Sequence, residues 1–275
     1  ALDLRARIEA LGRAKVVPAL ALVRVGQRPD DLSYERTARK RAESLGIAIR
    51  PYELDEFAPQ AAIEAAIHEV NRDENVHGCL LFRPLPSFVD ESHMCELLDP
   101  KKDIDGITLA SLASVFTDGH AGYPPATAAA CIQLLDHYQV PLQGKHVVVV
   151  GRSLVVGKPV SMMLLRRNAS VTICHSKTEN LADIMRSADV VICATGRART
   201  FGAQFFGPGQ TVLDVGINFD TQGNLCGDVD FAEVEPVVAA ITPVPGGIGT
   251  VTTSVTMAHT VAAAEAALAA RTGRR

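Results

Sequence analysis

At 275 residues, 47% of them hydrophobic and 21% charged, the chain is long enough to bury a sizeable core and to divide into two domains. A formal net charge of -4 supplies no global basic field, which argues against nucleic acid or an anionic membrane as the main partner and leaves any anion site to local clusters. The six cysteines (Cys79, Cys95, Cys131, Cys174, Cys193, Cys226) have no paired spacing, no signal pattern opens the chain, and no apolar run reaches the roughly 18 residues of a membrane span, so the reading is a cytoplasmic protein with reduced thiols and no zinc site.

The sequence opens at Ala1 inside a helical pattern (LDLRARIEAL) and without an initiator methionine, so a short native segment is expected to precede it. Strand-like runs then alternate with amphipathic segments: ALALVRV (Ala19 to Val25), a helix over Asp31 to Leu45, IAIRPYEL, a helix over Pro59 to Asn71, and HGCLLF (His77 to Phe82). That alternation predicts a parallel α/β sheet. A Gly/Pro-rich break, TDGHAGYPP (Thr117 to Pro125), marks a domain boundary and leads into an Ala-rich helix at Ala126 to Tyr138. A second series runs KHVVVVG (Lys145 to Gly151), SVTICHS, ADVVICATG and QTVLDVGIN, with helix patterns between the first three. Such continuous Val/Ile runs suit strands covered by helices on both faces, as in a Rossmann-type domain. The chain closes with a Gly-rich loop feeding a long alanine-dominated helix, expected to return to the first domain.

After the all-valine strand, Gly151 to Pro159 reads GRSLVVGKP, a glycine-bounded turn entering a helix. Backbone there can approach phosphates at a helix N-terminus, where unpaired N–H groups favour anions. It is not G-x-G-x-x-G, and taken alone Gly151 and Gly157 also fit a tight βα turn with no ligand. The second strand adds information. It ends CHSKT (Cys174 to Thr178), with no acid to bind a ribose 2'-hydroxyl, whereas His175, Ser176 and Lys177, with Arg152 from the first turn, would accept a 2'-phosphate. This favours NADP over NAD. Tyr34, the RPLP turn (Arg83 to Pro86), KKDIDG (Lys101 to Gly106) and TPVPGGIGTVT (Thr242 to Thr252) place further polar groups where loops follow strands. Asp103 and Asp105, with no nearby His ligand, read as a solvated turn rather than a metal site.

In this order, and over essentially the whole chain, the segments resemble the methylenetetrahydrofolate dehydrogenase/cyclohydrolase family, the bifunctional FolD enzymes. VVGRSLVVGKP, ATG, LDVGIN, GDVDF and ITPVPGGIG are the most specific stretches. The resemblance implies a two-domain α/β fold with a cleft between the domains: 1–122 with 251–275 as the substrate-side domain, and 123–250 as the Rossmann-type NADP-binding domain. It also implies oxidation of 5,10-methylenetetrahydrofolate with NADP, hydrolysis of the methenyl cation to 10-formyltetrahydrofolate, and a homodimer. Carried over by position, Asp105 resembles the carboxylate that accepts two hydrogen bonds from the pterin, and Tyr34 the ring that stacks along the substrate. Gly151, Arg152, Ser153, Gly157, His175, Ser176 and Lys177 fall where the family holds the cofactor. Thr195, Gly196, Ile217 and Asn218 fall at its nicotinamide half, and Pro245, Gly246 and Gly247 on the loop flanking substrate and nicotinamide.

The chain departs from the family at two linked positions. The lysine of Y-x-x-x-K is Ala38, and the glutamine of V-Q-L-P-L-P, which hydrogen-bonds that lysine, is Phe82. The loops PATAAA and GTVT differ from P-C-T-P-x-G and G-P-M-T as well. Arg41 shares Tyr34's helix face two turns along, but RTARKR reads as a solvated basic face and an arginine is no base. Hydride transfer needs only near-attack geometry, while cyclohydrolysis must move protons. The expectation is therefore a dehydrogenase with the second activity lost or very weak. The alternatives are an inactive folate- or NADP-binding paralogue, an NADP-dependent dehydrogenase for another small substrate, and full bifunctionality through another base, with His68, His77 and His93 as candidates.

Overall fold

The computed structural model describes residues 2–273. Its elements in order are α1 (Leu2–Arg13), β1 (Ala19–Val25), α2 (Pro29–Leu45), β2 (Ala48–Leu54), α3 (Gln60–Arg72), β3 (Gly78–Leu81), α4 (Glu91–Leu97), α5 (Leu109–Thr117), α6 (Ala126–His137), β4 (His146–Val150), α7 (Gly157–Leu165), β5 (Ser170–Cys174), α8 (Leu181–Arg186), β6 (Val190–Cys193), a 3-10 turn (Ala203–Phe205), β7 (Thr211–Asp214), β8 (Asn218–Phe219), β9 (Leu225–Cys226), α9 (Phe231–Val234), β10 (Ala240–Ile241) and α10 (Ile248–Thr272). The chain divides into two compact units, Ala1–Ala126 with Thr253–Arg275, and Thr127–Thr252.

The first unit is built on a parallel sheet ordered β2-β1-β3, with Leu20 opposite both Ile49 and Gly78. Every residue of β1 is buried, because ALALVRV is apolar on both faces apart from Arg24. Side-chain alternation sends Leu20 and Leu22 into one cluster with Ala38, Ala42 and Leu45 of α2 and Met257, Val261 and Ala264 of α10. Ala21 and Val23 face the opposite way, against Ile63, Ile67 and Val70 of α3 and Met94 near it. The α2 helix starts at Pro29, two residues ahead of its predicted start, since proline fits the first helical turn and Asp30 and Asp31 complement the dipole there.

Among the described residues three short helices, α4, α5 and α9, escape the sequence pattern, and each is started by a side-chain cap, Asp230 taking the Glu233 N–H at 3.4 Å in α9. Asp90 accepts the His93 N–H at 3.0 Å to start α4, and Thr108 accepts the Ser111 N–H at 3.1 Å to start α5. Asp103, expected in a solvated turn, is instead fully buried. Its carboxylate accepts from the N–H groups of Ile107 (2.9 Å) and Thr108 (2.8 Å) and from the Ser111 hydroxyl (2.6 Å). It organises the entry into α5, and these donors take the place of water.

The second unit carries five parallel strands ordered β10-β7-β6-β4-β5, the doubly wound pattern that the valine runs predict. Val148, Val150, Val191 and Val212 join Cys174, Met185 and Phe206 in its core. A small antiparallel pair, β8 with β9, lies outside that sheet. Among the described residues no helix is long and apolar enough to cross a membrane.

Candidate active site

In the first unit α2 sets Tyr34 and Ala38 one turn apart. Ala38 is buried to 1% exposure, and Phe82, just past the end of β3, to 5%. Both belong to the apolar cluster against which Tyr34 packs, and the Tyr34 and Phe82 rings meet edge to face at 6.0 Å. The Tyr34 hydroxyl is pushed up to about 12, by burial first and by the nearby Asp105 charge second, while a hydrogen bond with the Thr256 hydroxyl pulls the other way. It is a neutral, apolar-walled phenol at any ordinary pH.

Asp105 is half-buried, and it makes no hydrogen bond or ion pair among the described residues. Burial raises its carboxyl to about 7, with the Arg83 guanidinium opposing that rise and Asp103 adding to it. At neutral pH it is therefore poised between acid and carboxylate. The structure brings Tyr34 and Asp105 into electrostatic range of each other, although they are 71 positions apart in sequence. The segment carrying Asp105 is also pinned by His259 of α10, which sequence reasoning passed over: its Nδ1 lies 2.8 Å from the Ile104 carbonyl, and its ring stacks on Tyr123 at 5.0 Å.

Arg39 and Arg41, on different sides of α2, do not form the solvated basic face expected from RTARKR. Arg39 pairs with Glu35 and with Glu53 (3.2 Å), and Glu35 also takes the buried Arg24 guanidinium at 2.6 Å. Burial alone would raise Glu35, but hydrogen bonds from Arg24 and Arg39 carry it below the usual carboxylate range. Arg41 reaches Ser254 of α10 at 3.4 Å, and its Nε is buried without a hydrogen-bond partner. Of the histidines offered as alternative bases, His68 is exposed and His93 lies 3.5 Å from Glu64. His77 is buried, and its Nδ1 accepts the Ala19 N–H at 3.2 Å.

In the second unit Gly151 adopts φ +136, and a Cβ at Gly157 would run into the Gly151 carbonyl, so the GRSLVVG turn closes on itself only with glycine at both positions. Ser153 braces it, accepting the Val156 N–H on its hydroxyl at 3.1 Å. At the end of β5, His175 Nδ1 accepts the Lys177 N–H at 3.2 Å and Thr178 closes the turn onto His175. The side chains of Arg152, Ser176 and Lys177 are exposed and make no hydrogen bond or ion pair among the described residues. Thr195 and Gly196 follow β6, while Ile217, 59% exposed, and Asn218 follow β7. Pro245 and Gly246 stand exposed ahead of α10, with Gly247 half-buried beside them.

The catalytic domain of tetrahydrofolate dehydrogenase/cyclohydrolase matches residues 2–105, and its NAD(P)-binding domain matches residues 125–268. The Bifunctional protein FolD of Carboxydothermus hydrogenoformans is 48% identical over 265 residues, covering 96% of this chain and 92% of its own. Among solved structures, the bifunctional enzyme FolD, a methylenetetrahydrofolate dehydrogenase/cyclohydrolase from Campylobacter jejuni, aligns with a TM-score of 0.93 at 34% identity, over 96% of this chain and 94% of that one. The Trypanosoma brucei methylenetetrahydrofolate dehydrogenase-cyclohydrolase, solved with NADP cofactor and an inhibitor, aligns at 0.92 with 31% identity, over 97% and 93%. Two family models that together match most of the chain, and a relative 48% identical over 96% of it, show that the chain belongs to the tetrahydrofolate dehydrogenase/cyclohydrolase family.

Proposed function

We propose that the protein is an NADP-dependent 5,10-methylenetetrahydrofolate dehydrogenase in which the family's cyclohydrolase step is lost or very weak. The observation that carries this reading is the apolar enclosure of Ala38 and Phe82, the positions of the family's lysine and glutamine, in the cluster against which Tyr34 packs. Asp105 accepts two hydrogen bonds from the pterin edge, a task for which a carboxylate with two open oxygens is suited. Tyr34 lends its ring as a platform, and its phenol stays protonated, so it moves no proton. The glycine turn at Gly151 to Gly157 and the unpaired cations Arg152 and Lys177 suit the phosphates of NADP, the 2'-phosphate included. Held there, NADP would supply the acceptor for a hydride from the methylene carbon. The chain's part in that step is to hold the reacting groups at near-attack distance and exclude water, which needs no base.

Cyclohydrolysis differs because water must add to the methenyl cation and lose a proton. Without a tunable amine and its orienting amide, that step should slow by about 10² to 10⁴. The test is two assays on the purified protein: NADP reduction with 5,10-methylenetetrahydrofolate, and decay of 5,10-methenyltetrahydrofolate without nucleotide. Reduction with decay at the buffer rate is expected. Decay well above the buffer rate would overturn the split and favour a fully bifunctional enzyme, a reading supported by the 48% identical relative named as bifunctional. Whole-chain identity does not address two replaced positions, so the local chemistry is given the greater weight.

A further inference from the structure

Asp228, in the GDVDF segment, is fully buried, and no cation pairs with it among the described residues. Five donors from two other segments converge on its carboxylate instead. One oxygen takes the Thr195 N–H, the Thr195 hydroxyl (2.9 Å) and the Gly196 N–H (3.2 Å); the other takes the Arg197 N–H (2.9 Å) and the Asn218 amide (3.0 Å). The Asp228 N–H in turn donates to Asp214 at 2.9 Å, and Asp214 also accepts from the N–H groups of Gly216 (3.0 Å) and Val229 (2.9 Å). Two buried carboxylates thus clasp the loop after β6, the loop after β7 and the GDVDF segment. The packing is direct: a Cβ at Gly216 would strike the Asp228 carboxylate, and one at Gly227 the Asp214 carboxylate.

This arrangement orients the outer side of the loop after β6. In a trans peptide the N–H and C=O point in opposite directions, so turning the N–H groups of Thr195, Gly196 and Arg197 toward Asp228 turns the preceding carbonyls away from it: that of Ala194 comes against the Gly151 turn, and those of Thr195 and Gly196 face outward. The loop after β7, tied through Asn218, displays the exposed Ile217 side chain. Outward carbonyls beside an exposed aliphatic group suit a flat ring carrying an amide: the carbonyls accept from the amide NH2, and the aliphatic group covers the ring.

We propose that Asp228 is a positioning residue for the nicotinamide end of the dinucleotide, holding the Thr195 and Gly196 carbonyls and Ile217 in the directions that end requires. The inference rests on the cofactor reading above, and the test separates the two. Calorimetry on wild type and Asp228→Asn would use NADP and, separately, 2',5'-ADP, which keeps the phosphorylated adenosine and lacks nicotinamide. The amide puts donors where Asp228 now faces N–H groups. The expected result is NADP binding weakened about tenfold or more and kcat lowered, with 2',5'-ADP unchanged within about twofold. Parallel loss of both ligands, or loss of neither, overturns the proposal. A wild-type protein that binds neither ligand sinks the cofactor reading itself, and the proposal with it. Should Asp228→Asn not fold, Asn218→Ala removes one donor and keeps the carboxylate. It should show the same split with about a three- to tenfold NADP loss, and equal effects on the two ligands would again overturn the assignment.

Discussion

Asp105 titrates inside the range where the reaction would be assayed, since burial holds it at about 7. Its folded-state value lies above the ordinary 3.8, so the folded chain favours the protonated form; that stabilisation is complete below about pH 4 and is lost as pH rises through about 7. The substrate-binding role proposed for Asp105 asks for the opposite, ionised form. Asp105→Asn should therefore raise the melting midpoint at pH 8 and leave it unchanged at pH 4. The same variant should lower kcat/KM for methylenetetrahydrofolate by about 10² and abolish the wild-type acid limb near pH 7, because the amide offers one acceptor oxygen in place of two. An acid limb that persists in the Asn variant would assign the titration to another group. The Ala38 and Phe82 positions make a second residue-scale prediction. Ala38→Lys alone forces an ammonium into an apolar cluster and should cost about 2 kcal/mol or more by urea unfolding. With Phe82→Gln added, the amide supplies a partner and space, and methenyltetrahydrofolate decay should rise by about 10² or more. A double variant no faster than its parent would refute the role given to the lysine and glutamine.

Where β1, α2 and β2 meet, packing is joined by an ionic network: Arg24, six parts in a hundred exposed, is held by Glu35 of α2 and Glu53 of β2, with Gly26 accepting a further guanidinium bond. Because Glu35 adjoins Tyr34, the network fixes the helix that presents the ring. Glu35→Gln leaves a buried guanidinium without its closest counter-charge and should cost about 3 to 5 kcal/mol by chemical denaturation, whereas replacing Arg24 and Glu35 together by Met and Leu should be nearly neutral. At this scale the sequence is informative wherever the pattern is long and regular. The ALALVRV and HVVVV runs declare β1 and β4, because strands buried on both faces have nothing but apolar residues to show. The same run hides the meaning of Arg24, whose partners sit 11 and 29 positions away. Helices α4 and α5, of 7 and 9 residues, are too short for periodicity, and their only signals were the caps Asp90 and Thr108. The tight turn after β4 was readable from Gly151 and Gly157, since a side chain at either position would strike backbone. Tyr34 facing Asp105, and Asp228 gathering donors from positions 195 to 218, depend on contacts between distant segments, which no local rule encodes.

For the molecule as a whole, ligand binding is coupled to folding. NADP at 100 times its Kd should stabilise the folded state by about 2.7 kcal/mol. The 2'-phosphate share of that stabilisation should vanish in Arg152→Ala with Lys177→Ala, so that NADP and NAD protect the double variant equally in thermal melts. Persistent NADP preference would place the 2'-phosphate on other groups. The division of the first unit into 1–126 and 253–275 has a further consequence, for synthesis on the ribosome. Leu20, Leu22 and Leu45 are finished early, but Met257, Val261 and Ala264, which complete their cluster, emerge last. At about 5 to 20 residues per second, the intervening stretch 127–252 takes about 6 to 25 seconds to translate, and for that interval the nascent amino-terminal sheet must wait with one apolar face uncovered. The nucleotide unit, continuous in the chain, has no such delay and can fold first, which makes the amino-terminal segment the part of the nascent protein most in need of a chaperone.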